Sequence, residues 1–248
     1  MIKYKVVKRG MTVLLYNVVI LITACSSGYK IEGDKVYYEY ANEAHGQQKV
    51  LLKADAKTFQ VLKHEGYAKD AHTVFYYGKE LKGADVNSFE SLGDFYARDK
   101  NVGWYSMDSI KGSHGPTLKI VNDYYSTDGS DYFYTSFPLH ITNVQKFKFV
   151  IGENDYQCWT TDGAFYYFNQ YKVPSFDYNH FIIYPKSGGL SRDQKWVYFY
   201  NHRLNVDENG KTIVDTIDAA TMKSNGYLDA RDKWGCINVY HGREKCPE

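Results

Sequence analysis

The 248-residue chain lacks the short signatures that most catalytic sites carry. Gly-x-Ser-x-Gly is absent, so no nucleophile elbow of the hydrolase kind is encoded. Phosphate loops and glycine-rich dinucleotide fingerprints are absent too. The eight histidines, at 45, 64, 72, 114, 140, 180, 202 and 241, never fall three or four residues apart, the spacing that suits a zinc pair. No group of acids resembles an EF-hand loop; Asp128, Ser130 and Asp131 come nearest. The expectation is therefore no metal, no cofactor and no catalytic residue. Charge of one sign is missing as well. Beyond residue 24 the chain has 26 Lys and Arg against 29 Asp and Glu, with no basic stripe, so it does not have a nucleic-acid binder's charge.

Only one apolar run approaches membrane length, and it lies at the amino end. Met1 to Arg9 carries Lys3, Lys5, Lys8 and Arg9 and no acid; Met11 to Ile22 is apolar apart from Thr12, Tyr16 and Asn17; Ala24 and Cys25 follow. A basic start, about a dozen apolar residues and a small residue at the cut describe a secretory signal rather than a spanning helix. Residues 1–24 are thus expected to be a signal peptide and 25–33 a polar tether. Export permits disulfides. Beyond Cys25 stand Cys158, Cys236 and Cys246. Cys236 and Cys246 flank what reads as a last hairpin and are the candidate bridge; Cys158 with either partner, or no bridge, are the alternatives.

Aromatic residues are plentiful, 17% of the chain with 25 Tyr, and they recur with a period. An Asp set among aromatics appears at 34, 70, 99, 128, 162, 193 and 232. A cap-like residue followed four positions later by a large apolar one appears as Asp55/Phe59, Asp85/Phe89, His114/Leu118, Asn143/Phe147, Asp177/Phe181 and Asp218/Met222. From Asp to cap the distance is 15 residues in four consecutive units, 70 to 85, 99 to 114, 128 to 143 and 162 to 177. An aromatic also stands three before the Asp in Tyr67, Tyr96, Tyr125 and Trp159. Self-similarity at this period marks a stacked or radial repeat architecture. Runs such as Val74-Phe75-Tyr76-Tyr77 and Trp196-Val197-Tyr198-Phe199-Tyr200 read as strands. The Asp is expected to start a turn by accepting from nearby amides. Asp-x-x-Ser/Thr-Phe reads as the start of a helix of one or two turns.

The expected fold is mainly β: tandem hairpins over 34–248, about six units and a terminal hairpin, each followed by a short helical turn and stacked into an elongated or curved array. A closed propeller-like ring is the alternative, since seven copies is a common propeller number. Against it, 29 to 31 residues per unit leave little room for four strands. One Tyr of each pair Tyr37-Tyr38 and Tyr76-Tyr77 should face outward, as in an aromatic ledge for a glycan.

Two resemblances add to this. Ile22-Thr23-Ala24-Cys25 resembles the bacterial lipoprotein signal, which implies cleavage before Cys25, lipid on its sulfur and, in a Gram-negative host, an outer-membrane address. Asp99-Lys100-Asn101 followed by Trp104-Tyr105 resembles the DKNYY family. The likeness extends to Tyr67-Ala68-Lys69-Asp70 with Tyr76-Tyr77, to Lys82-Gly83-Ala84-Asp85, and to Ser191-Arg192-Asp193 with Tyr198; at Asp128 and Asp162 a Gly replaces the Lys. The family consists largely of exported bacterial proteins of unknown function, and it implies no catalytic residue. The expected protein is a lipid-anchored envelope protein that binds or scaffolds, with a membrane contact through its anchor and an envelope protein or glycan as partner. An envelope enzyme or inhibitor, with a site built by the insertions His45 to Lys53 or Asn205 to Thr216, is the alternative.

Overall fold

The computed structural model describes residues 27–64, 66–93, 95–153, 157–205, 211–212 and 216–246. Its building block is set by one buried carboxylate. Asp99 accepts the amides of Asn101 and Val102 on one oxygen, at 2.7 and 3.0 Å, and so closes its own turn. Its second oxygen accepts the Asp85 amide at 3.1 Å and the Trp104 indole N–H at 2.9 Å. Asp70, Asp128 and Asp162 repeat the plan, taking the amides two and three residues on and reaching back to Asp55, His114 and Thr142. Asp193 reaches Ser175, which relays to the Asp177 amide, and Asp232 reaches the Asp218 amide. Burial raises the carboxyls of Asp128, Asp162, Asp193 and Asp232, but the surrounding donors outweigh it and hold them below the usual carboxylate range.

These bonds set the phase of the repeat. Each cap step is tied to the Asp that follows it, so the folded unit is a cap step and then a sheet, not a hairpin and then a helix. The cap steps are single tight turns. Three are 3-10 turns, Gly115–Thr117, Val144–Lys146 and Tyr178–His180. The Ser or Thr three after the cap has a use the helix-start reading missed: Thr58, Ser88 and Thr221 accept the amide of the residue after the next landmark Asp. The apolar residue that follows points inward. Phe59, Phe89, Leu118 and Met222 are buried, and Phe147 and Phe181 half-buried.

Among the described residues seven antiparallel sheets follow one another, with strands in sequential order in each. Sheet 1 spans 28–51 and has three strands, Gly28–Glu32, Lys35–Asn42 and Gly46–Leu51. Sheets 2 to 7 span 60–80, 90–110, 119–138, 148–172, 182–203 and 223–244, and each has four strands of two to four residues. The expectation that a unit leaves little room for four strands is corrected: strands of two to four residues fit. Residues 28–32, assigned to the tether from sequence, are a strand. Asp34 is corrected too. It lies exposed in the turn between the first two strands and, among the described residues, staples nothing.

Six core clusters join consecutive sheets pairwise. The junction of sheets 1 and 2 holds Val36, Tyr38, Phe59 and Phe75, and that of sheets 6 and 7 holds Leu190, Phe199, Met222 and Ile237. Between them, sheets meet through Tyr67 and Trp104, Tyr96 and Phe133, Tyr125 and Tyr167, and Trp159 and Tyr198. Among the described residues no cluster joins sheet 1 to sheet 7. The fold is mainly β and stacked, as the aromatic period predicts. Tyrosine suits the joints because one large ring fills a junction while its hydroxyl offers a polar end; Tyr167 and Tyr198 turn theirs to the Asp162 and Asp193 carboxylates of their own sheets. Tyr67 donates to the Phe95 carbonyl of sheet 3 at 2.8 Å, with the Ser106 carbonyl at 3.1 Å. Burial pushes the Tyr67, Tyr96 and Tyr125 phenols well above their ordinary range, so these joints stay neutral.

Candidate binding site

The residues that give the repeat its signature are used by the fold. Asp99 is the staple, Lys100 pairs with the Asp85 carboxylate at 2.7 Å, and Trp104 returns its N–H to Asp99. That ion pair and the Ser88 hydroxyl hold the Asp85 carboxyl at about 2. Asp128 and Asp131 spend their oxygens in the same manner. Asp128 takes Ser130 and its own turn, while Asp131 takes the amides of Tyr132, His140 and Ile141. Among the described residues no three His, Cys, Asp or Glu side chains gather as metal ligands.

The remaining sequence candidates scatter. Ser113 of Gly112-Ser113-His114-Gly115 is buried, donating to the Ile110 carbonyl at 2.7 Å and accepting the Gly103 amide at 2.8 Å. The His114 ring faces Thr117 instead. His180 meets Asp177 at 2.7 Å within one cap turn, and the exposed His140 meets Asp131 at 3.8 Å. Cys25 lies outside the described residues. Cys236 and Cys246 are joined in a disulfide with Cα atoms 5.0 Å apart, and Cys158 is a buried thiol. The first proposed insertion, His45 to Lys53, is the last strand of sheet 1 with its turn. The second lies largely outside the described residues. A cavity of about 220 Å³ beside its ends is lined, among the described residues, by Trp196, Val197, Asn205, Thr216 and Ile217, none of them an acid or a histidine.

One opening does gather the aromatic residues that the sequence singled out. Tyr38, Tyr40, Val50, Tyr77, Gly78 and Lys79 line a cleft of about 440 Å³ at the junction of sheets 1 and 2. The Tyr38 and Tyr40 rings stack at 6.2 Å, and Tyr77 stands edge-on to Tyr38 at 6.1 Å. Of the two tyrosine pairs, Tyr38 and Tyr76 turn inward. Tyr77 faces the cleft, and Tyr37 is on the opposite face of sheet 1 under the Lys49 ammonium, 4.2 Å from its ring. Tyr77 has φ 45°, a left-handed conformation costly for a bulky residue. Its amide is held by the Gly66 carbonyl at 2.8 Å. Gly78 is required twice. Its φ is +75°, and a Cβ there would sit 2.5 Å from the Tyr38 Cβ. Tyr29 completes the support, accepting the Gly78 amide at 3.0 Å and donating to the Gly66 carbonyl at 3.1 Å. Sequence reasoning named the tyrosine pairs and the Gly78 turn but missed Tyr40, Val50 and Lys79. The Tyr-Gly turn after a strand was the available signal.

A family model described as the DKNYY family matches this chain at residues 4–108 and again at 79–137, together more than half of it. No curated protein and no solved structure matches it. Sheets 5 to 7 lie beyond the matched residues, yet Asp162, Asp193 and Asp232 make the same staple there.

Proposed function

The chain belongs to the DKNYY family, and from that premise we propose that it is a lipid-anchored envelope protein that binds a glycan, without catalysis, in the cleft between sheets 1 and 2. The observation that carries this reading is the aromatic cleft in which Tyr40 and Tyr77 stand over the buried Tyr38 ring, with Lys79 at its edge and, among the described residues of its lining, no acid or histidine. Sugar rings present apolar C–H faces that lie against aromatic rings, while their hydroxyls stay in contact with water and the lysine. Ser106, Thr135, Asn169 and Tyr200 are left-handed at the matching turn, so the conformation belongs to the repeat, and the exposed ring of Tyr77 beside Tyr38 and Tyr40 is what sets this junction apart. Lipid on Cys25 would place the array at a membrane surface, within reach of envelope polysaccharide.

The test is retention of the purified chain on immobilised cell-wall polysaccharide, with Tyr77→Asn beside the wild type. Asn169 holds the equivalent left-handed position in sheet 5, so this variant keeps the backbone. Retention should fall about tenfold, near 1.4 kcal/mol. Equal retention of the two proteins, or none by either, overturns the reading. For the anchor, Cys25→Ser should move the protein from the membrane to the soluble fraction of cells; an unchanged distribution would remove that part.

A further inference from the structure

Sheet 7 departs from its siblings at one edge. In sheets 2 and 3 the residue before the landmark Asp is a cation that reaches the next cap step. Lys69 donates to the Val86 and Phe89 carbonyls, and Arg98 to those of Pro116 and Leu118. Arg98 also pairs with Glu90, its partner across the strands. In sheet 7 the same position is Arg231, and no eighth sheet is described for it to reach. Its cross-strand partner, where sheet 3 has Glu90, is Lys223. Two cations facing each other across a ladder destabilise it, and among the described residues neither has an acid partner.

Arg231 and Lys223 do not stand alone. With Arg192, Lys233 and Thr221 they line an open depression of about 570 Å³. The Arg192 guanidinium bonds neutral oxygens, the Tyr184 hydroxyl and the Asp193 carbonyl. Asp232, the acid in the lining, is already committed to Arg243 at 2.8 Å and to the Asp218 amide. Lys233 pairs with Asp218. Three cations therefore remain uncompensated around one depression.

We propose that this depression is a binding site for a phosphate group, held by Arg192, Lys223 and Arg231. Arginine forks and a lysine point charge are the side chains that suit a compact oxyanion. The bound charge would remove the cross-strand repulsion that the fold otherwise tolerates. Free phosphate esters and the headgroups of anionic lipids both present this chemistry. The site is distinct from the aromatic cleft, which lies at the other end of the chain of sheets.

The experiment titrates the purified chain with inorganic phosphate by calorimetry. It also measures co-sedimentation with vesicles of phosphatidylcholine, alone or mixed equally with phosphatidylglycerol. Lys223→Glu is the informative variant, because it installs the acid–arginine pair that sheet 3 already uses and so preserves folding. Wild type should bind phosphate in a salt-sensitive manner, and Lys223→Glu should bind about tenfold more weakly while unfolding no earlier. Phosphate binding without vesicle binding assigns the site to soluble esters. Binding only to the anionic vesicles, weakened by added phosphate, assigns it to a lipid headgroup. Absence of both, or equal binding by the variant, overturns the proposal.

Discussion

Three residues before the buried aspartate, sheets 2 to 6 carry Tyr67, Tyr96, Tyr125, Trp159 and Leu190, all buried against the sheet that follows, and sheet 7 carries Asp229. Six residues after the aspartate the same exchange occurs. Tyr76, Tyr105, Tyr134, Phe168 and Phe199 give way to Asn238, whose amide donates to Asp229 at 2.9 Å. The Cys236–Cys246 disulfide lies on this face as well. At the opposite end, the outer side of sheet 1 holds Glu39 between Lys30 and Lys49, with Lys49 also bonded to Glu32 at 2.6 Å. Sheets 2 to 7 thus share a backbone plan, and the inner ones differ from sheet 7 in what faces outward. An aromatic face demands another sheet, whereas a charged one is content with water. Polar outer faces on end units are what keep a stacked protein from adding further copies.

Exchanging the two kinds of face tests that difference most severely. Tyr96→Asp would bury an unpaired carboxylate between sheets 3 and 4, and should cost about 4 kcal/mol or more in a denaturant titration. Asp229→Tyr should leave the midpoint within about 0.5 kcal/mol and instead promote concentration-dependent association in sedimentation. Equal destabilisation by both would show that the two faces are not distinguished by burial.

The staple offers a second contrast, between Asp99 and Asp34. Asp99→Ala leaves the Asn101, Val102 and Asp85 amides and the Trp104 N–H without their acceptor. At about 1–3 kcal/mol for each buried donor left unpaired, and with water reaching some of them, a loss of about 3–4 kcal/mol is expected. Asp34→Ala, at an exposed turn, should change stability by less than about 0.5 kcal/mol. Comparable losses would mean that Asp34 is a staple after all.

Acid provides the smallest and most specific probe. Burial alone raises the Asp162 carboxyl, but the donors from Thr142, Phe165 and Ala164 outweigh it and hold the group at about 2. A carboxyl whose folded value is depressed contributes stability that is complete above its unfolded value. That contribution is lost as pH falls through the folded one. The window is therefore about pH 4 down to about pH 2, and the contribution about 2 kcal/mol. Asp162→Asn should flatten the acid limb of a stability profile by that amount. An acid limb as steep as the wild type's would place the titration elsewhere.

Much of the architecture was legible because its causes are local. An aspartate closing a turn over the next three residues, and short aromatic strands on either side, leave a mark that recurs at a fixed period. The strand count was not legible, since strands of two or three residues are defined by the partners they pair with and not by a run of their own. The phase was equally hidden: Asp85 stands 15 residues after Asp70 but is bonded to Asp99, and spacing alone does not say in which direction a bond runs. The role of Asp34 was misread for the same reason, as the letters repeat while the burial does not.

The candidate sites divide along the same line. Tyr76-Tyr77 announces that one ring turns outward, because alternation along a strand is a property of the chain itself. That Tyr77 meets Tyr38 and Tyr40 across a junction, and that cations at 192, 223 and 231 converge on one edge, arises only when sheets pack. The amino-acid order determined a repeating, aromatic, β-rich chain with a polar end, since turn closure and side-chain alternation act over a few residues. Tertiary structure decided which aspartate holds which cap, which rings meet, and where charge is left over. Those depend on contacts between residues far apart in the chain, which no local pattern encodes.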